Sequence, residues 1–478
     1  MIMLHPTKKS KIIATIGPAS ESSIIIRELI LSGVNLFRFN LKHNDHTWHI
    51  KTMKMVREIS NDLETSVGII GDIQGPEVRT GKYDTGKMVL KENEQVAFAT
   101  KEIKGIKTIT LNPVSIVSKL VQNQLILIDD GKYIFKVVRV KDDHVIAKTV
   151  EAGVLGNSKS VSFPDLKLNI PTLTKKDKGD IKMCVENDVD YVALSFVQNE
   201  NDVIKLKEYL KKLKSNIRII AKIEKWEAVN NIDPIIKESD AIMVARGDLA
   251  VEIPMERVPS IQKLLVEKCR LNNTPVIIAT QMLKSMEQNT VPTRAEITDV
   301  ANAVFEGSDA VMLSEESAMG NYPVKTVKTM AKILRFNEQS YQYIKGSHIN
   351  PEDVAISEAL TYAAHVLFDF YQSTKSGIKG FIVLSETGKT VHGLAKYRPN
   401  MPVYAFTQNE TVKNQLNLSW STIPFNMTFK ASTTATINTI KQTLIKERFA
   451  KKGDKFITIS GQILGSAGHT DTLRLLTI

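Results

Sequence analysis

Cysteine is nearly missing from this sequence. Two thiols in 478 residues, Cys184 and Cys269, exclude a disulfide framework and a four-thiolate zinc site, and the apolar helical surroundings of each predict small buried side chains. Long apolar runs are missing too. None approaches the ~18 uninterrupted residues of a membrane span, and residues 1–10 carry charge without the apolar stretch and cleavage site of a secretory signal, so no membrane partner and a cytoplasmic location are expected. Aromatic residues are sparse, 6% of the chain, and they do not interleave with basic residues as a base-stacking surface requires. The excess of 63 basic over 52 acidic residues, a net charge of +11, is scattered in short groups such as 8–11, 175–178 and 211–214. No nucleic-acid partner is expected; a positive surface that attracts anionic metabolites is.

What is present is an ordinary packed composition, 42% hydrophobic and 24% charged over 478 residues. Single cores stop growing near ~250–300 residues, so two or three domains are required. Eight short apolar runs organise the chain: residues 11–17, 36–41, 67–74, 191–197, 218–224, 241–247, 275–281 and 310–316. Most are Ile- and Val-rich, continuous rather than alternating, and separated by enough chain for one helix. Parallel strands buried on both faces read this way, and eight of them predict an α/β fold built on a (β/α)8 TIM barrel. The spacing breaks once. Residues 76–170 turn to alternation and turn signals, which predict an inserted all-β, β-barrel lid domain on the face where such barrels carry their active sites. After the eighth run a helix over 324–342 and a polar linker at 346–353 lead to a smaller α/β unit, with helices over 353–370 and 438–449 and strands over 380–385, 403–407 and 455–460. The expected division is barrel 1–75 and 171–342, lid 76–170, and C-terminal α/β domain 343–478.

If those runs are barrel strands, the polar residues at their carboxyl ends converge: Arg38, Asn40, Asp72, Ser195, Lys222, Glu224, Arg246, Asp248, Thr280, Ser314 and Glu316. Lys222 and Glu224 stand two apart on one strand, so both point the same way, over the mouth. Glu224 and Asp248, from neighbouring strands, suit one hard divalent ion that keeps other oxygens, as magnesium does. Arg38, Lys222 and Arg246 suit a phosphoryl or carboxylate ligand, since phosphoryl transfer needs positioning and positive charge more than covalent help. Spacing alone also fits ion pairs that close the barrel top.

Longer motifs narrow this. They are SKIIATIGPAS (10–20), FRFNLKH (37–43), GDIQGPEVRTG (71–81), LIDDG (127–131), ALSFV (193–197), IIAKIE (219–224), IMVARGDLAVEIP (242–254), ATQML (279–283), PTRAEITDVANAVFEGSDAVML (292–313) and LAKYRP (394–399). On these segments, spread over nearly the whole chain, the sequence resembles the pyruvate kinases. The resemblance implies a lidded barrel followed by a C-terminal effector domain, usually a homotetramer. It implies a glycolytic enzyme that transfers the phosphoryl group of phosphoenolpyruvate to ADP, giving pyruvate and ATP. Glu224 and Asp248 are then implied as ligands of magnesium or manganese, with Lys222 neutralising the moving phosphoryl group and Arg38 gripping it. The backbone N–H groups of Gly247 and Asp248 would hold the substrate carboxylate, and Thr280 would belong to the protonation network beside the enolate. His43, Arg79 and Lys159 match groups that contact the nucleotide, which carries a second magnesium. Asn40, Asp72 and the backbone at Ile73 match ligands of a monovalent cation, usually potassium.

The chain departs from the family pattern in places. Lys42 occupies the position of a serine that would ligate potassium, and an ammonium near Asn40 and Asp72 replaces that ion electrostatically, so potassium-independent activity is expected; the alternative is that Lys42 turns to solvent. Gln74, Gln198, Ala250, Glu315 and Ser317 also differ from the pattern. They leave open a second reading, a catalytically weakened metabolite-binding or regulatory subunit. In the C-terminal domain, Ser385, Thr387, Lys389 and Thr390 resemble the loop that binds an effector phosphate, although a polar strand-to-helix turn has the same composition. Glu386 and the lack of arginine in 429–439 predict either insensitivity to fructose bisphosphate or a sugar-monophosphate or nucleotide effector.

Overall fold

The structure is a computed structural model that describes residues 8–164, 166, 171–341, 355–373, 377–430, 432–461 and 470–478; the linker expected at 346–353 lies outside the described residues. All eight runs form strands: Lys11–Thr15, Leu36–Asn40, Gly68–Asp72, Tyr191–Leu194, Arg218–Ile223, Ala241–Ala245, Val276–Ala279 and Ala310–Leu313. They close into one barrel, with the first pairing the eighth and the third pairing the fourth across the long insertion. Every pairing is parallel. Each strand is shorter than its apolar run because the last residues of the run turn out of the ladder to build the mouth. Helices start on side-chain caps where the sequence supplies them. Thr174 with Asp177, Asn199 with Asp202 and Thr293 with Glu296 form capping boxes, which satisfy backbone donors that no turn precedes.

Two layers of core hold the barrel. The larger lies between strands and helices. The inner one includes Leu36, Ile70, Ala193, Ile220 and Met312, all fully or almost fully buried inside the ring. Side chains alternate along a strand, so the residue two positions beyond each of these also faces inward, now at the carboxyl end. Those residues are Arg38, Asp72, Ser195, Lys222 and Ser314. The apolar periodicity that packs the core thus aims the polar side chains at the mouth.

The insertion folds as seven strands ordered Val161–Ser162, Leu125–Ile128, Tyr133–Val140, His144–Thr149, Gln95–Ala99, Thr108–Asn112 and Arg79–Thr80, with Lys87–Leu90 and Gly153–Gly156 paired separately. Its two ends meet: Arg79 bridges Ser160, and the Val161 N–H donates to the Val78 carbonyl (2.9 Å), so the sheet curls on itself around its own core. One pairing, Gln95–Ala99 with Thr108–Asn112, is parallel rather than antiparallel, a crossover that alternation alone does not encode.

The C-terminal domain is a five-stranded sheet ordered Thr422–Asn426, Val403–Thr407, Ile378–Leu384, Lys455–Ser460 and Thr472–Thr477, with helices Ile356–Ser373 and Thr433–Lys446 among those against it. The two outer strands were not expected from the sequence. Thr422–Asn426 contains Pro424, which only an edge position tolerates, and Thr472–Thr477 is half polar. This domain seats against the amino-terminal end of the barrel, opposite the mouth. Leu418 enters the inner barrel core, the Tyr191 hydroxyl donates to the Gln415 carbonyl (2.8 Å), and Arg398 pairs with Asp309 at 2.8 Å with both side chains 3% exposed. Asp309 also accepts from the Trp420 N–H (3.0 Å), so the LAKYRP segment works as an interdomain pin.

Candidate active site

One cavity of about 460 Å³ opens at the carboxyl ends of the strands, beneath the lid. At its base Asp72 is clamped by two cations: Arg38 Nε at 2.6 Å and Lys222 Nζ at 3.3 Å. Lys222 also reaches Glu224 (2.8 Å) and donates to the Ser195 hydroxyl (2.8 Å), while Arg38 donates to the Thr15 hydroxyl (3.1 Å). Glu224 is 2% exposed and its second oxygen accepts from the Phe196 N–H (2.6 Å). These bonds fix both cations and leave their outer faces toward the cavity. Burial works against the Lys222 ammonium and against ionised Asp72. The mutual attraction wins, holding the lysine pKa above and the aspartate pKa below their usual values.

Asp248 stands in the first turn of the helix Arg246–Glu252. Its carboxylate opens to the cavity, yet the cleft walls around it, and then the charge of Glu224, push its pKa up to about 7. Two carboxylates facing one cleft with a surplus of negative charge are what a divalent cation neutralises. Among the described residues no group of three or more His, Cys, Asp or Glu could hold a metal. Glu224 and Asp248 therefore suit an ion that takes its remaining oxygens from water and ligand, as magnesium does.

Thr280 sits at φ 68 and Phe196 at φ 57, a backbone region that β-branched and bulky side chains rarely enter. The strain at Thr280 brings its hydroxyl to the Gly247 N–H (2.8 Å). The threonine hydroxyl and the amides expected to hold a carboxylate therefore form one wall.

The lid closes the other side. Lys159 pairs with Asp129 (2.8 Å), Arg79 pairs with Glu77 (2.8 Å), and both cations line the cavity with His43. Partial enclosure by the cleft, then Lys42 and Arg38, hold His43 below the usual imidazole range. At the lid's turn Asp129 and Asp130 adopt φ 56 and Gly131 φ 82. A Cβ at Gly131 would lie 3.8 Å from Val251 Cγ1 on the helix that carries Asp248, so the lid tip rests beside that helix.

Lys42 turns into the mouth rather than out to solvent. Its ammonium pairs with Glu77 (2.5 Å), not with Asp72, and its backbone N–H donates to Asn40 Oδ1 (3.3 Å). Gln74 approaches the second oxygen of the same carboxylate at 3.4 Å. The Ile73 carbonyl accepts from the Ser195 hydroxyl (2.8 Å).

Of the residues expected at the mouth, Arg38, Asn40, Asp72, Ser195, Lys222, Glu224, Asp248, Thr280 and Ser314 line the cavity; Arg246 and Glu316 do not. Arg246 is a correction to the expected cationic cluster. It follows Ala245 at the opposite parity, so it points away, pairing with Asp299 of the helix Arg294–Glu306 (2.6 Å) and donating to the Thr280 carbonyl at the end of the neighbouring strand (2.7 Å). Glu316 is fully buried and caps backbone N–H groups at Ser314 (2.7 Å) and Leu283 (3.2 Å). Glu77, Asp129 and Asp130 line the cavity without having been singled out. Their signal was present, because GDIQGPEVRTG and LIDDG contain them, but nothing local told which acidic residue faces inward.

A second cavity, about 540 Å³, lies at the far end of the barrel, and Ser385, Thr387, Lys389 and Thr390 line it together. Gly388 turns there at φ 79 and donates to the Ser385 hydroxyl (3.0 Å).

A family model described as pyruvate kinase, barrel domain, matches residues 7–327, and one described as pyruvate kinase, alpha/beta domain, matches residues 368–476. A pyruvate kinase of Geobacillus stearothermophilus is 37% identical over 478 residues, covering 98% of this chain and 80% of that protein. One of Agrobacterium vitis is 36% identical over 484 residues, covering 99% of each. Among solved structures, a pyruvate kinase from Cryptosporidium parvum superposes with a TM-score of 0.89 at 31% identity, covering 98% of this chain and 96% of that one.

Proposed function

The chain belongs to the pyruvate kinase family, and from that premise we propose that it moves the phosphoryl group of phosphoenolpyruvate to ADP, giving pyruvate and ATP. The observation that carries this reading is the convergence of Arg38, Asp72, Lys222 and Glu224 on one cavity beneath a lid that brings Arg79 and Lys159 to the same space. The reading of a catalytically weakened subunit is not favoured, because the relatives are pyruvate kinases across the full chain and Arg38, Lys222, Glu224, Asp248 and Thr280 all remain.

The chemistry is an in-line displacement. A terminal oxygen of ADP attacks phosphorus, the bond to the enolate oxygen breaks with its electron pair staying on that oxygen, and the enolate carbon then takes a proton. Lys222 and Arg38, locked by Asp72 and Glu224, present fixed positive charge to the equatorial oxygens, so little reorganisation is needed as charge develops. The Gly247 and Asp248 amides and the Thr280 hydroxyl orient the carboxylate end, with Thr280 placed beside the carbon that is protonated. His43, Arg79 and Lys159 receive the nucleotide, the last two by exchanging Glu77 and Asp129 for phosphate. A divalent ion held by Glu224 and Asp248, magnesium or manganese, would supply charge neutralisation for the phosphoryl and enolate oxygens. A lactate-dehydrogenase-coupled assay tests the function: turnover with phosphoenolpyruvate, ADP and magnesium is expected, and none with magnesium or manganese would reject it.

Lys42 serves in place of the monovalent cation. Its ammonium is held in the mouth by Glu77 and its backbone N–H bonds Asn40 Oδ1, while Asp72 already has two cationic partners. A further cation at Asp72 would meet the like charges of Arg38 and Lys222.

The domains divide at 1–75 with 171–342, 76–170 and 343–478. The protein acts in the cytoplasm as a homotetramer. Exposed apolar side chains at Val291, Ile297 and Phe305, on and beside one barrel helix, support a subunit interface, and light scattering after gel filtration reads the mass. Ser385, Thr387, Lys389 and Thr390 hold the phosphate of a sugar-monophosphate or nucleotide effector, which a thermal-shift screen of such phosphates against fructose bisphosphate tests.

A further inference from the structure

The loop that brings Lys42 and His43 to the mouth is tied at both ends. The Leu41 carbonyl accepts from Lys176 Nζ, and His46 pairs with Asp180 (2.7 Å), whose second oxygen takes Lys176 (2.7 Å). Both partners stand on the helix Lys175–Glu186. Between these ties the chain crosses the cavity rim, with Asn44 at φ 59 and the His43 side chain exposed. An exposed side chain is placed by its backbone, and the backbone of His43 has two bonds. Its N–H donates to the Asn40 carbonyl (3.2 Å), and its carbonyl accepts from His49 Nε2 (2.8 Å).

His49 is an unusual choice for its place. It is the fourth residue of the helix His46–Asp62, where an apolar side chain commonly packs on the incoming chain. Helical side chains lean toward the amino terminus, which carries the ring back over the loop. The ring is 1% exposed and packs edge-on against Phe39 and Trp48, at centroid distances of 6.1 and 5.0 Å, and burial holds the imidazole below its usual range. A carbonyl only accepts, so Nε2 carries the proton and Nδ1 is bare. Nδ1 is buried with no hydrogen-bond partner, which costs free energy. An apolar residue would fill the space without that cost; what histidine adds is the Nε2 donor. We propose that His49 is a positioning residue for the transfer reaction, its Nε2–H fixing the His43 carbonyl and thereby the angle at which the His43 imidazole meets the nucleotide. This rests on the nucleotide reading of His43 given above and adds the group behind it. His49 itself does not line the cavity. A contact made alike before and during transfer sets KM rather than kcat, and the two end ties and the Asn40 bond keep the loop on its course when the middle fastening is lost.

Initial rates of the full-length protein at varied ADP, with phosphoenolpyruvate and magnesium saturating, test this. His49→Leu, which fills the space without the donor, should raise KM for ADP about three- to tenfold, the worth of one hydrogen bond. It should leave kcat and KM for phosphoenolpyruvate within about twofold of wild type. His49→Gln, whose amide reaches the place of Nε2, should restore KM for ADP, and His49→Asn, one bond shorter, should not; this pair carries the test if the leucine variant does not fold. Equal behaviour of His49→Gln and His49→Asn would show that the donor does not matter and would overturn the proposal. A cycle with His43→Ala identifies the route. His43→Ala alone should raise KM for ADP, and adding His49→Leu should raise it no further, since both act through one imidazole. If His43→Ala raises KM for ADP but His49→Leu leaves it unchanged, or adds its full effect in the His43→Ala chain, the positioning role is wrong and the nucleotide reading stands. If His43→Ala leaves KM for ADP unchanged, both are wrong.

Discussion

Lys222→Met is the sharpest perturbation of the proposed chemistry, because it keeps the length of a side chain that is 12% exposed and removes only its charge. In wild type that charge sits 2.8 Å from Glu224 and 3.3 Å from Asp72. A unit charge about 4 Å from a phosphoryl oxygen, at an effective dielectric of about 20, is worth about 4 kcal/mol. Loss of one preorganised donor from an active site costs about 2.7–4 kcal/mol. The two routes agree, and they place the fall in kcat at about a hundred- to a thousandfold. Magnesium affinity should not fall with it, since Glu224 loses a competing ammonium. A coupled assay with metal and both substrates saturating measures kcat, and a metal titration by calorimetry measures affinity. A kcat within tenfold of wild type would refute the placement of Lys222 against the moving group; a parallel collapse of metal binding would show that the lysine only shapes the site.

Three further outcomes are expected. Wild type should be active in buffer free of potassium and sodium, and Lys42→Ser should acquire potassium dependence; strong potassium activation of wild type would reject Lys42 as the resident cation. Arg398→Met leaves Asp309 buried without its partner and should destabilise the protein by about 3–5 kcal/mol, read by denaturant unfolding, with Asp309→Asn in the same chain restoring part of the loss; an effect under about 1 kcal/mol would show that the interdomain pin bears no load. The Asp248 pKa, pushed up to about 7 by the enclosing cleft and then by Glu224, means that the metal-free folded protein keeps a proton which the unfolded chain releases near pH 4. Metal-free stability therefore falls as pH rises through that window and is lower by a constant amount above it. A divalent ion must displace that proton, so magnesium affinity should drop about tenfold per unit as pH falls below about 7, and a pH-independent affinity by calorimetry would contradict this.

The sequence by itself determined the barrel and most of its mouth. Period-two alternation in an extended chain is a local property, so burial of Ile220 already dictates that Lys222 and Glu224 face inward, and Ile70 does the same for Asp72. Read strictly, the same parity places Arg246 outside, which counting polar residues at strand ends overlooked. The edge strand with Pro424 escaped because a proline interrupts the strand pattern, and the parallel pair in the lid escaped because alternation marks a strand without its pairing direction. Only the tertiary structure decided the pairings across elements. Lys42 chose Glu77 over Asp72 because Arg38 and Lys222 had already neutralised the latter, and the LIDDG turn came to rest beside the helix of Asp248. The loop at Ser385 and Asn273, more than a hundred residues apart in the chain, came to line one cavity across a domain boundary. Charge and hydrogen-bond partners are settled by proximity in space, and a sequence records which groups are available without recording which of them meet.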